Sequence, residues 1–294
     1  MELADKVVIV TGAGRGIGRA IARMAAQEGA KILAADIGAE LDGSDADSSV
    51  ADAVAKEIAQ SGGTAKATSQ SVATREGARA IVDCALDNWG RVDGLVCCAG
   101  ILRHRPFLEL TEFDFDAVIA THLKGHFLMF QSAFKAMVAN GHGGSLIGIG
   151  SGYVLGDPAR APYRSAKAGI VGLTKSVALA GQEYGIRANV ISPIADTRMT
   201  EASNLKIGSS PEDIAPMAVY MLSERSAMIT GEVFSVYGQS ISSWEDPHED
   251  RSIRSETRWT VDAIERAMPW LRGSQAARSG PASPPLPKSA QPRR

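Results

Sequence analysis

Hydrophobic and polar residues fall in blocks along the chain. Lys6-Val-Val-Ile-Val10 is an apolar run that predicts a strand buried on both faces. Gly18–Gly29, with Ile21, Met24 and Ala25 on one face, predicts a helix. Lys31–Ala35 is a second buried strand, Asp36–Ser49 a polar glycine-bearing loop, and Val50–Gln60 a helix stopped by Ser61-Gly62-Gly63. The alternation then predicts strand Thr64–Thr68, helix Arg75–Trp89 and strand Gly94–Cys98. One long helix follows over Phe113–Asn140, with Phe115, Val118, Ile119, His122 and Leu123 clustered at helical spacing. Strand Gly144–Gly150, helix Pro162–Tyr184, strand Ala188–Ile191, helix Pro211–Leu222 and strand Val233–Val236 complete the series. Strands separated by helices six or seven times predict an α/β fold with one doubly wound parallel sheet, spanning residues 1–240. A polar and aromatic extension, 241–273, and a Pro/Ser/Ala tail, 274–294, follow; the tail is expected to be disordered.

Composition narrows the partners. With 294 residues, 45% of them hydrophobic, the chain is long enough for a large core, which excludes collagen, a small disulfide scaffold and disorder throughout. Thirty-one Lys and Arg against 33 Asp and Glu offer no basic field for nucleic acid or anionic lipid. The tail holds Arg278, Lys288, Arg293 and Arg294 and no acid, so the remainder is mildly acidic. No cationic leader opens the chain and no apolar run approaches the roughly 20 residues of a membrane helix, so no membrane partner is expected. Cys84, Cys97 and Cys98 read as reduced, buried thiols, which fits a cytoplasmic protein. The alternative for the adjacent Cys97/Cys98 pair is a redox or metal site, but no further ligand cluster supports a metal.

Thr11-Gly-Ala-Gly-Arg-Gly-Ile-Gly18 lies directly after the first strand and opens the first helix. Gly12, Gly16 and Gly18 let the backbone approach a pyrophosphate and aim its amides at the anion. Asp36 ends the second strand, where a carboxylate binds ribose hydroxyls and repels a 2′-phosphate; this favours NAD over NADP. The competing reading of Asp36 is an N-cap or loop aspartate. Arg15 is a counter-signal, because a base in the glycine loop suits a 2′-phosphate.

Tyr163-Arg-Ser-Ala-Lys167 places Tyr and Lys on one helix face, at i and i+4. A phenol of reference pKa about 10 is a poor acid–base at neutral pH, and a neighbouring ammonium stabilises its phenolate. Pro162 suits a helix entry, so the pair belongs in a first turn. A Tyr-x-x-x-Lys spacing alone is common on solvated helices. Its position after the fifth strand, with Ser151 twelve residues earlier, makes a serine hydroxyl available to a substrate oxygen.

Together Thr11–Gly18, Ala99-Gly100, Ser151, Tyr163/Lys167 and Asn189…Pro193…Thr197 resemble a short-chain dehydrogenase/reductase over residues 5–240. The resemblance implies a single Rossmann domain, Tyr163 as acid/base, Lys167 on the nicotinamide ribose, and Ser151 orienting the carbonyl or alcohol. It implies cofactor contacts from Gly12, Arg15, Gly16, Ile17, Gly18, Asp36, Ser71, Val72, Ala99, Gly100, Tyr163, Lys167, Pro193 and Thr197, and no metal. Three departures stand out. The relay asparagine is His122, Asn-Asn-Ala-Gly is Cys97-Cys98-Ala99-Gly100, and the usual Pro-Gly is Pro193-Ile194. Thr121-His-Leu-Lys-Gly-His-Phe127, the loop Ile37–Ser49, Gly62–Ala65 and Thr197-Arg-Met-Thr200 resemble the (3R)-hydroxyacyl-CoA dehydrogenase part of multifunctional β-oxidation enzymes and its bacterial relatives.

His122 has three readings: it holds a relay water, it shuttles protons itself near neutral pH, or it is a core histidine. The relay comes first. His104, His126 and His142 read as surface or core residues. Ile101–Phe107, Tyr153–Leu155 and Ile194–Ser210, with Met199, Leu205 and Ile207, are the expected substrate walls. Arg103 and Arg105 either meet an acyl-CoA phosphate or belong to a solvated loop. Trp244, Trp259, Met268 and Trp270 are expected to pack on the body or on a neighbouring subunit. The expected activity is NAD-dependent interconversion of a small-molecule alcohol and ketone by a homodimer or homotetramer. A 3-hydroxyacyl-CoA dehydrogenase and a non-catalytic dinucleotide sensor are the alternatives.

Overall fold

Along each strand the side chains alternate between two cores. Val7, Ile9, Leu33, Leu95, Cys97 and Leu146 face one, and Val8, Val10, Ile32, Val96, Ile147 and Ile191 the other. In the computed structural model, which describes residues 1–152, 156–201 and 206–272 of the 294, both cores are closed by helices. The strands are β1 (Val7–Thr11), β2 (Lys31–Ala35), β3 (Thr64–Thr68), β4 (Gly94–Cys97), β5 (Gly144–Ile149), β6 (Ile186–Ile194), β7 (Val233–Tyr237) and β8 (Ser240–Ser243). The helices are α1 (Gly16–Gln27), α2 (Ser49–Gln60), α3 (Arg75–Trp89), α4 (Glu112–Ile119), α5 (Gly125–Asn140), α6 (Ala161–Gly181), α7 (Arg198–Glu201), α8 (Ala215–Leu222) and α9 (Val261–Arg272). Residues of α1, α2 and α8 fill one core; α3, α5 and part of α6 fill the other.

The sheet order is β3-β2-β1-β4-β5-β6-β7-β8, parallel throughout except for the β7–β8 hairpin. This is the doubly wound Rossmann-like arrangement that the alternation predicts. The order reverses between β1 and β4, and ligands of such sheets bind in the crevice beyond those strand ends.

Three features depart from the predicted pattern. The long helix over Phe113–Asn140 is two helices, α4 and α5, joined by a π-helical turn over Ala120–Lys124. Pro211–Leu222 opens as a 3-10 turn over Pro211–Asp213 before α8 begins. Beyond Val236 the chain turns through Gly238 (φ +50°) into the antiparallel β8, whose end is fixed by Trp244 donating through Nε1 to Ser235 Oγ at 2.6 Å. The sheet therefore continues past residue 240.

The chain divides into two compact units, Met1–Trp244 and Glu245–Arg294. In the second, Arg251 donates to the Trp270 carbonyl at 2.9 Å and its guanidinium lies 5.6 Å from the Trp270 ring, so the end of α9 finds a partner for an otherwise open carbonyl. Tail residues 274–294, Tyr153–Leu155 and Leu205 lie outside the described residues.

Candidate active site

At the switch point, β1 ends at Thr11 and the chain turns at Gly12 (φ +65°). A Cβ on Gly12 would sit 2.6 Å from the Ala99 amide nitrogen, and one on Gly18 would sit 2.1 Å from the Gly12 carbonyl oxygen. Glycine is thus the residue that lets β1, the segment after β4 and α1 converge. Thr11 Oγ1 accepts from the Ala99 amide at 3.3 Å. Arg15, the N-cap of α1, makes no side-chain cap bond, and Ile17 packs on the core. Thr197 leans over the turn: its Cγ2 lies 3.7 Å from the position of a Cβ on Gly16. Pro193 is half-buried near the end of β6, opposite Val236.

Asp36 sits just past β2 and holds this turn. Its Oδ2 accepts from the Gly14 amide at 2.8 Å and its Oδ1 from the Gly38 amide at 2.7 Å. Gly14, within the same glycine run, is held to glycine by its surroundings: a Cβ there would meet Asp36 Oδ2 at 2.9 Å and Val50 Cγ1 at 2.3 Å. Arg15 points to the loop after β2 and donates to the Ala39 carbonyl at 3.1 Å. Of the other expected contacts, Ser71 Oγ accepts from the Ala73 amide, and Val72 is buried against Gly125. The close glycine turn, the helix start without a side-chain cap and the carboxylate beside them fit a dinucleotide: amides for the pyrophosphate and a carboxylate for ribose hydroxyls.

The second half of the site is built on β5 and α6. Pro162 enters α6, Tyr163 follows in the first turn and Lys167 lies one turn on. Lys167 is 4% exposed, donates to the Ile149 carbonyl at 2.6 Å, and has its Nζ 5.5 Å from the centroid of the Tyr163 ring. Ser151 stands two residues past β5 and is half-buried. Arg164 donates to the Gly152 carbonyl at 2.7 Å, fixing the segment beside Ser151 to the start of α6. The end of β5 therefore carries both the lysine anchor and the serine.

His122 lies in the π-helical turn and is 1% exposed, its ring edge-on to Tyr163 with centroids 5.3 Å apart. It packs under Gly100, where a Cβ would lie 2.5 Å from Cε1. Its Nε2 is 2.8 Å from the Ile101 carbonyl and 3.0 Å from the Ile101 amide, so one tautomer donates to Ile101 and the other accepts from it. Nδ1 is buried without a hydrogen-bond partner. Burial, reinforced by the Lys167 charge, pushes its pKa well below 6.5. Of the three readings of His122, this direction disfavours a shuttle that titrates near neutral pH and leaves the relay and the core histidine.

The remaining candidates are structural. His126 is buried, whereas His104 and His142 are exposed. Burial raises both the Cys97 thiol and the Cys98 thiol, the latter to about 12, so neither is a reactive thiolate. Among the described residues no group of three or more His, Cys, Asp or Glu is placed to hold a metal ion. Arg103 and Arg105 form ion pairs with Asp114 at 3.1 and 2.9 Å. The backbone of their segment is tied to Leu41, Ala159 and Pro158. On the far side, Asp196 accepts from the Ile207 and Gly208 amides, which folds the segment after β6 back on itself.

Residues 6–208 match the family model described as short chain dehydrogenase. A crystal structure of a short chain dehydrogenase from Mycobacterium avium has a TM-score of 0.84 and 37% identity, covering 92% of this chain and 96% of its own. The hydroxyacyl-CoA dehydrogenase ChsB1 of Mycobacterium tuberculosis is 34% identical over 68% of this chain and 69% of its own. The mouse peroxisomal multifunctional enzyme type 2 is 37% identical over 79% of this chain, which spans 31% of that longer protein. With its glycine turn, its Ser151, Tyr163 and Lys167 set and this match, the chain belongs to the short-chain dehydrogenase/reductase family, whose members act on hydroxyl groups with a nicotinamide dinucleotide.

Proposed function

We propose that the protein interconverts a secondary alcohol and a ketone with NAD(H), using Tyr163 as acid and base. The observation that carries this reading is the buried Lys167, anchored on the Ile149 carbonyl and set against the Tyr163 ring. Gly12, Gly16, Gly18, Ala99, Gly100 and Thr197 surround the dinucleotide, with Asp36 at its adenosine ribose and Lys167 at its nicotinamide ribose. The bound cofactor supplies the hydride acceptor in oxidation and the donor in reduction. Ser151 holds the substrate oxygen by a hydrogen bond. Tyr163 Oη takes the hydroxyl proton in oxidation and returns it in reduction, and the Lys167 ammonium favours negative charge on that oxygen while the proton is away. His122, edge-on to Tyr163, holds the water that carries the proton toward solvent, its own ring staying neutral.

Asp36 supports NAD over NADP, because its carboxylate repels a 2′-phosphate. The counter-signal from Arg15 weakens, since its guanidinium is engaged with the Ala39 carbonyl. Exposed Phe113, Phe115 and Phe127 on α4 and α5 support a homodimer or homotetramer. The free thiols of Cys84, Cys97 and Cys98 support a reducing compartment, the cytoplasm. No described helix is long and apolar enough to cross a membrane.

The second reading, a 3-hydroxyacyl-CoA dehydrogenase, is favoured by the similarity to ChsB1. NADH formation across a panel of secondary alcohols, steroid alcohols and 3-hydroxyacyl-CoA thioesters decides between them. Faster turnover of the thioesters selects the second. Tyr163→Phe is expected to abolish turnover while NADH still binds. Unchanged turnover overturns the mechanism, and a protein that binds NADH yet oxidises nothing in the panel is a dinucleotide sensor.

A further inference from the structure

The end of β5 is tied to a helix side chain as well as to its neighbouring strands. In a parallel sheet successive amides point to opposite neighbours, and every buried amide needs an acceptor. Gly150 donates toward β6, to the Ile191 carbonyl at 2.7 Å, so the Ile149 amide points toward β4. The last β4–β5 pair is Cys97 and Gly148, which makes the Cys97 carbonyl the final acceptor that β4 presents to the Ile149 amide. Here the amide has a second acceptor in a side chain, donating also to His126 Nε2 at 3.3 Å. The other nitrogen of the same ring, Nδ1, donates to the His122 carbonyl at 2.7 Å. His126 therefore spans the π-helical turn and the strand end.

Both anchor points matter to the site. Ile149 holds Lys167 through its carbonyl, and His122 is set edge-on to Tyr163. The ring is tightly placed, 2% exposed, with Phe130 edge-on at 5.8 Å and with Gly148 so close that a Cβ there would lie 3.4 Å from Cδ2. A donor at Nδ1 and an acceptor at Nε2 define one neutral tautomer, unlike the two open to His122. Burial and the Lys167 charge keep it neutral, with a pKa of about 3, against the opposing pull of the His122 and Cys97 carbonyls.

We propose that His126 is a positioning residue for the reaction, a brace that adds a side-chain tie to the end of β5 and sets the Lys167 anchor and the His122 turn in register. It touches no substrate, and it rests on the catalytic reading of Tyr163 and Lys167 given above. Three substitutions separate its two bonds. His126→Leu removes both. His126→Asn keeps a short donor toward the His122 carbonyl and loses the reach to β5. His126→Gln keeps an acceptor at the distance of Nε2.

The test measures kcat on the best substrate of the panel, NADH affinity by fluorescence, and hydrogen exchange of the 145–152 backbone in the full chain. The expected result for Leu and Asn is a kcat lower by about 10- to 100-fold with NADH affinity within about threefold, together with faster exchange at Ile149. Gln is expected to restore most of both. Wild-type kcat per NADH-binding site in all three variants, or Leu and Gln behaving alike, overturns the brace. If wild type turns over nothing in the panel, the catalytic reading fails. The exchange measurement still judges the brace in that case: protection at Ile149 lost in Leu and regained in Gln upholds it, and unchanged protection overturns it.

Discussion

Asp36, just past β2, reaches the turn after β1 and accepts a hydrogen bond from the Gly14 amide at 2.8 Å. The same carboxylate shapes the glycine turn and, in the function proposed above, meets the adenosine ribose. Asp36→Ala is expected to raise the NADP-to-NAD ratio of kcat/KM at least about tenfold, one unfavourable charge contact being worth 1.4 kcal/mol or more. It also removes two charge-assisted bonds, so thermal stability falls by about 1–3 kcal/mol. A ratio equal to that of wild type defeats this reading of Asp36.

Gly100 and His122 are in contact with no room between them. Gly100→Ala puts a methyl group 2.5 Å from His122 Cε1 and must displace the ring or the backbone. Overpacking of this kind costs about 1–3 kcal/mol. Turnover is expected to fall about tenfold or more as the ring leaves Tyr163. Differential scanning calorimetry and steady-state kinetics check this, and a variant with wild-type stability and rate refutes it.

A neutral His122 leaves no mark on the pH–rate profile near its ordinary pKa. His122→Asn is expected to keep the shape of the profile between about pH 5.5 and 8, while His122→Leu lowers kcat about tenfold or more, within the range of acid–base assistance. Loss of a limb near pH 6.5 in His122→Asn would show that the imidazole is charged in the working enzyme.

Asp114 gives a stability signature of known sign. The Thr111 hydroxyl, with Arg103 and Arg105, lowers its pKa below the ordinary 3.8. Its contribution is complete above that value and is lost as pH falls through the depressed folded value. The gap in Tm between wild type and Asp114→Asn is therefore constant from pH 7 to about pH 5, begins to narrow near about pH 4 and closes as the pH falls through the depressed folded value. A gap as wide at about pH 2 as at pH 7 contradicts the ion-pair assignment.

Local periodicity made the parallel sheet legible, since the central strands β1, β2, β4, β5 and β6 bury both faces and glycine turns mark several boundaries. The glycine turn, Ser151 and the Tyr163/Lys167 spacing are legible for the same reason: their chemistry depends on neighbours within one or two turns. Contacts made over long separations were not. Nothing near Asp114 announces Arg103 and Arg105 as its partners, and nothing near His126 announces the Ile149 amide 23 residues away. The β8 strand, Ser-Ile-Ser-Ser, carries almost no strand propensity and is held by its pairing to β7 and by Trp244.

The π-helical turn over Ala120–Lys124 acts as a phase shifter. A regular helix advances about 100° per residue, so one surplus residue offsets the faces before and after it by that angle. Val118 ahead of the turn and Met129, Phe130 and Ala133 after it are all buried. Deleting one residue there would leave both half-helices intact as helices and misalign them. The enzyme would keep its helix content and lose the meeting of His122 with Tyr163.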